Sequence, residues 1–193
     1  MPATLDQATA LVLIDLQQGI TALPTAHPAD DIVQRSAALA DAFREHHLPV
    51  VATRVGFSAD GGDVVRTRTA ANTPIVTFGP EGTVMRPELR LNENAILITK
   101  RGWNAFYGTE LDLHLRRRGI TGIVLAGISS SVGVESAARA AAERDYQLTI
   151  VTDAVTDTDL GAHNNSLNAI FPKIAELATT DEVVAALDAR GPQ

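Results

Sequence analysis

The chain has 193 residues, 45% of them apolar, and its 16 basic and 23 acidic side chains leave a formal net charge of -7. That length suits one α/β domain over residues 1–193 with a sizeable core, and a field of that sign argues against nucleic acid or an anionic membrane as partner. Cysteine is absent, which excludes disulfides, thiolate metal sites and thiol nucleophiles together.

The first twenty residues carry no basic segment before their apolar stretch, and Asp6, Asp15, Gln17 and Gln18 interrupt it, so no signal peptide is evident. No uninterrupted apolar run approaches the roughly 18 residues of a membrane span. A cytoplasmic protein is the expectation.

Taken in chain order, Ala10–Ile14 is short and partly β-branched, and reads as a buried strand ending at Asp15. Pro28 opens a helix with Ile32, Ser36, Leu39, Ala40 and Phe43 on one face, closing near His46 and His47 before Pro49. Val50–Thr53 is a second strand. From Gly56 to Asn94 periodicity fades while Gly61, Gly62, Pro74, Gly79, Pro80, Gly82 and Pro87 accumulate, which predicts mostly loop, of a length that is usually functional or mobile. Ala95–Thr99 is a third strand, ending at Lys100. A helix follows from Thr109, with a capping-type start, to Arg116, Arg117 and Arg118, whose charges suit its carboxyl end, and Gly119 stops it.

Ile123–Ala126 is a fourth strand. The turn Gly127-Ile-Ser-Ser-Ser-Val-Gly133 leads into a helix over Val134–Arg144 with Ala137, Ala138 and Ala141 inward. Leu148–Val151 is a fifth strand. Ala162–Glu176 is expected to be a helix, distorted by Pro172, with Leu167, Ile170 and Ile174 facing inward. Ala178-Thr179 makes a short sixth strand, and Thr179 with Glu182 forms a capping box for a last helix carrying Val183, Val184 and Leu187. This alternation predicts a three-layer, doubly wound α/β fold with a six-stranded, mostly parallel sheet of Rossmann-like topology.

In such sheets ligands bind beyond the carboxyl ends of the strands. Strand one delivers Asp15 there, strand three delivers Lys100, and strand four a Gly/Ser-rich turn opening a helix. Each alone is ordinary: a solvated acid, an ion-pair partner, serines that satisfy a turn, glycines that serve the backbone. Their convergence from separate parts of the chain favours a functional site. No Gly-x-Gly-x-x-Gly follows the first strand and no P-loop is present, so no nucleotide cofactor is expected. His27, His46, His47, His114 and His163 show no metal-ligating spacing, and no metal is expected.

The segments Leu13-Ile-Asp15-Leu-Gln17, Lys100-Arg-Gly-Trp-Asn-Ala-Phe-Tyr-Gly-Thr-Glu-Leu111 and Ala126-Gly-Ile-Ser-Ser-Ser-Val-Gly-Val-Glu-Ser-Ala-Ala-Arg139 resemble, in order, the three signature segments of the isochorismatase-like hydrolases. The similarity runs from about residue 10 to residue 185 and takes in Asp153 and the His163 region, with 56–92 matching least. In the cysteine-bearing members, nicotinamidases and other amidohydrolases among them, the resemblance implies an Asp, Lys, Cys triad. There Asp takes the thiol proton, Lys stabilises charge and turn N–H groups hold the oxyanion. Asp15 and Lys100 occupy two of these positions, and Gly133 occupies the third.

Isochorismatases of siderophore and phenazine pathways also lack that cysteine and hydrolyse a vinyl ether, for which a positioned Asp as general acid suffices in principle. They have a Tyr-Ala-His-like turn and a glutamine after strand two, where this chain has Ile128-Ser-Ser-Ser and Arg54-Val55. The resemblance further implies a cis peptide near Ile128-Ser129, an oxyanion turn including Ser129 and Gly133, and a pocket touched by Trp103, Phe106 and Ser130. Phe106 equally suits ordinary core packing. The function read from all this is non-covalent acid/base hydrolysis of a small metabolite, an enol ether such as isochorismate being implied. The alternatives are a catalytically silent member that binds a metabolite or protein, and an amidohydrolase using a turn serine. A homo-oligomer is expected from the relatives.

Overall fold

Burial decides the centre of the fold, which is taken from a computed structural model describing residues 3–70 and 77–190. Strand β1 (Thr9–Ile14) is buried at every position. A strand apolar on both faces needs helices on both faces, and this is what the chain supplies. β1 lies between β2 (Val50–Val55) and β4 (Gly122–Ile128). β3 (Ile96–Lys100) extends the sheet beyond β2, and β5 (Gln147–Thr156) and β6 (Glu176–Ala178) extend it beyond β4. The order is β3-β2-β1-β4-β5-β6, with every pairing parallel.

The two faces sort by strand parity. Val12, Ile14, Val51, Ile98, Ile123 and Leu125 face one core, against α3 (Leu111–Arg117), α4 (Glu135–Ala142) and the segment from α5 (Leu160–Asn165) to Ala175. Leu11, Leu13, Val124 and Ala126 face the other, against α2 (Ala29–Glu45) and α6 (Thr180–Asp188). Ala137, Ala138 and Ala141 are buried, and these small side chains bring α4 close to the sheet.

Several predicted boundaries shift. The helix expected from Thr109 begins at Leu111 after Glu110, which makes no side-chain cap; Thr109 instead accepts from the Leu111 N–H at 3.3 Å. The helix expected over 162–176 begins earlier, at Leu160 capped by Asp159, and breaks up. A wide turn at Ser166–Ile170 and a 3-10 turn at Phe171–Lys173 finish it. Pro172 lacks the N–H that a continuing helix needs. β5 runs past the expected Val151 to Thr156, and β6 takes Glu176 from the expected helix. Gly119 adopts a positive φ of 64° as the stop of α3, and the Thr179–Glu182 capping box is present. The long loop contains a short helix-like turn at Pro80–Thr83 and another at Pro87–Leu89. Its residues 71–76, including Pro74, lie outside the described part.

The chain departs from β1 in opposite directions toward β2 and β4, so the strand order reverses there. The carboxyl ends of β1 and β4 therefore flank the crevice where this class of sheet binds ligands. Among the described residues no helix is long and apolar enough to cross a membrane.

Candidate active site

Asp15 follows the last residue of β1 with a left-handed φ of 53°, a region Asp enters more readily than most residues. Its N–H donates to the Thr53 carbonyl at 3.1 Å, and the Thr53 hydroxyl donates back to Asp15 Oδ1 at 2.9 Å. The end of β2 thus fixes one carboxylate oxygen. Lys100, the last residue of β3, reaches the other: its Nζ lies 2.6 Å from Oδ2 and also donates to the Gly102 carbonyl at 3.0 Å. The two side chains are only 7% and 2% exposed.

Desolvation of that kind is costly for a carboxylate, and burial pushes the Asp15 carboxyl above its ordinary range. The charge and hydrogen bond of Lys100 and the Thr53 hydroxyl pull the other way without cancelling it. A carboxyl so placed retains its proton to higher pH than a solvated one, as a general acid requires.

Gln17, fully buried one residue beyond Leu16, continues the strand pairing with its side chain. It accepts from the Val55 N–H at 2.7 Å and donates to the Val55 and Gly82 carbonyls at 3.1 and 2.9 Å. This amide tethers the long loop to the mouth of the crevice.

The third wall is the turn after β4. Gly127 has φ 125°, and a Cβ there would lie 2.1 Å from the Ile14 carbonyl oxygen, so only glycine lets β4 approach β1 this closely. The Ile128–Ser129 peptide is cis. Ser130–Val134 then forms a wide turn in which the Ser129 carbonyl accepts from the N–H groups of Val132 and Val134. Gly133 faces the acid: a Cβ built on it would stand 3.4 Å from Asp15 Oδ2 and 2.9 Å from Ile14 Cγ2. Asp15, Lys100 and Gly133 therefore meet at one point, although they lie far apart in the sequence.

The other predicted contacts do not all join them. Ser130 is fully buried, and its hydroxyl is engaged by His163 Nδ1 at 2.8 Å. Ser131 is held by Asp157, whose Oδ2 accepts from its N–H at 2.7 Å and its hydroxyl at 2.8 Å. Phe106 is buried in the core, 6.1 Å from the Tyr146 ring and beneath the Arg144 guanidinium, because the loop after Lys100 turns its ring between α3 and α4. Trp103 is 68% exposed.

Thr53, Asp157 and His163 enter the site region although no role is assigned to them from the sequence. Only Thr53 carried a usable signal, as the last residue of the predicted second strand. Among the described residues no three His, Asp or Glu side chains converge to hold a metal ion.

An all-parallel, doubly wound sheet with a buried Asp–Lys pair and a glycine-bearing turn at its switch point defines a Rossmann-like α/β protein with a candidate site at the carboxyl ends of its strands. The sequence matches the isochorismatase domain over residues 9–182, and the chain belongs to that family. It is 45% identical over 185 residues to the isochorismatase family protein YecD of Escherichia coli O157:H7, covering 94% of this chain and 97% of that one. A solved isochorismatase family protein of Burkholderia thailandensis superimposes with a TM-score of 0.94 at 41% identity, covering 97% of this chain and all of the other. A more distant relative, the maleamate amidohydrolase of Pseudomonas putida, is 26% identical over 92% of this chain and 86% of its own.

Proposed function

We propose that this family hydrolase acts on a small enol ether of the isochorismate type by proton transfer from Asp15, without a covalent intermediate. The observation that carries the reading is a buried Asp15, held by Lys100 at 2.6 Å, facing a glycine where a nucleophile would stand. Asp15 delivers its proton to the terminal methylene carbon of the enol ether. The electron pair of the carbon–carbon bond takes it up, and the ether oxygen stabilises the resulting oxocarbenium ion. Water adds to the oxocarbenium carbon, the one bonded to the ether oxygen, and gives a proton back to the Asp15 carboxylate. The hemiketal then breaks its bond to the ether oxygen, which takes the hydroxyl proton and leaves as an alcohol while the carbon becomes the carbonyl of a keto acid. Lys100 balances the carboxylate that exists between the two transfers.

A turn serine is less suited to replace the thiol, since the hydroxyls of Ser130 and Ser131 are already committed to His163 and Asp157. The test is incubation of the purified protein with isochorismate and detection of released pyruvate. Turnover by the natural chain and its loss in Asp15→Ala support the reading; full activity in Asp15→Ala overturns the mechanism. A thermal shift with isochorismate but no pyruvate identifies a binding protein, which the closed 2.6 Å ion pair would also suit.

A further inference from the structure

A buried polar cluster that the proposed chemistry does not use lies beside the Gly133 turn. It comprises Ser130 and Ser131 on the turn, Asp157 just beyond β5, and His163 on α5. We propose that His163 is a positioning residue for this turn, its Nδ1 fixing the Ser130 hydroxyl while Asp157 fixes Ser131. The proposal rests on the functional reading only in that this turn carries the residue facing Asp15.

Two contacts compete for the single Ser130 hydroxyl proton, His163 Nδ1 at 2.8 Å and Asp157 Oδ2 at 3.5 Å. Asp157 Oδ2 also accepts from the N–H and O–H of Ser131, while Oδ1 accepts from the N–H of Thr158 at 2.8 Å. In the proposed arrangement the shorter contact takes that proton, so that Ser130 donates to Nδ1 and a neutral ring carries its proton on Nε2.

The groups around His163 agree. Burial and the His27 ring, whose centroid is 4.8 Å away on the segment before α2, hold its pKa below the ordinary imidazole value, and Asp157 opposes them. The other charged groups on adjoining elements are committed. Glu135 at the start of α4 accepts from Ser166, and Asp159 caps α5. Charging His163 would turn Nδ1 into a donor and force Ser130 to redirect its proton to Asp157 at 3.5 Å, beyond good hydrogen-bond length. The turn, three residues upstream of Gly133, would have to move.

The test needs no substrate. In a Gly133→Cys background the new thiol sits on the turn beside Asp15, and its rate of alkylation by iodoacetamide reports turn position. His163→Phe keeps a ring and removes the acceptor, Ser130→Ala removes the donor, and His163→Asn offers an amide oxygen near the Nδ1 position without titrating. Each of the first two should change the alkylation rate about fivefold or more, and His163→Asn should stay within about twofold of the parent, all below their melting temperatures.

An unchanged rate in His163→Phe, or a changed one that His163→Asn does not restore, overturns the proposal. The natural chain supplies an independent check should the cysteine variant fold poorly: ring nitrogen NMR shifts at neutral pH should show His163 protonated at Nε2 alone. A proton on Nδ1 would sink the idea. Isochorismate turnover is measured separately, so failure of the proposed reaction and failure of the positioning role are distinguishable.

Discussion

The two polar clusters at the carboxyl ends of the strands solve the same burial problem by opposite means. At β1 and β3 a carboxyl and an ammonium group are sealed together, with Thr53 taking the remaining oxygen. Between β4 and α5 an imidazole, two hydroxyls and one carboxyl group form a hydrogen-bonded net in which N–H and O–H donors, and no Lys or Arg, meet the acid's oxygens. The first suits a proton that must be held and released beside a substrate, and the second suits a backbone that must stay still. In the low dielectric of an interior, an ionic pair is punished hardest when one member is removed, whereas a net of several donors around one acid loses one bond at a time.

The largest effect therefore belongs to the ion pair. Lys100→Met leaves Asp15 buried without its cation and should cost about 3–5 kcal/mol, read as a fall in urea midpoint. Adding Asp15→Asn to it should recover part of that loss, because the double variant buries no uncompensated charge. Equal loss in the single and double variants would show that the pair is not electrostatically coupled, and would remove the contrast between the two clusters.

Asp157→Asn tests the other side with a smaller loss. The amide can accept at one position only, so Ser131 or Thr158 loses its partner, at a cost of about 1.5–3 kcal/mol. Its signature is local: amide exchange should quicken in residues 129–134 and not around Lys100. Exchange that quickens equally at both places would mean that the two clusters form one cooperative unit.

The same contrast governs what could be read beforehand. Asp15 and Lys100 stand at the ends of apolar, β-branched runs, and the strand period together with the rule for parallel sheets brings them to one edge. Their meeting was legible because it depends on backbone topology. The hydrogen-bonded net depends instead on details that periodicity does not carry. β5 runs on to Thr156, which puts Asp157 at its tip, and α5 starts at Leu160 with the helix breaking at Ser166, which aims His163 at Ser130. Phe106 shows the limit from the other direction. The signature segment placed it near Lys100 in sequence, but the loop turns its ring into the α3–α4 core.

The smallest effect is also the one that separates the clusters by sign. Burial makes the Asp15 carboxyl bind its proton more tightly in the folded chain than at its ordinary 3.8, so between that value and its raised folded one the folded state carries more protons than the unfolded. Its contribution to stability falls as pH rises through that window. His163 is held below its ordinary 6.5, so between its folded value and 6.5 the unfolded chain carries the extra proton. Its contribution is complete above 6.5 and is lost as pH falls toward the folded value. Melting temperatures followed from acid to neutral pH should therefore contain a falling component that Asp15→Asn removes and a rising component that His163→Asn removes. If His163→Asn leaves the rising component intact, the folded and unfolded chains bind the His163 proton equally, and burial beside His27 does not disfavour the charged ring.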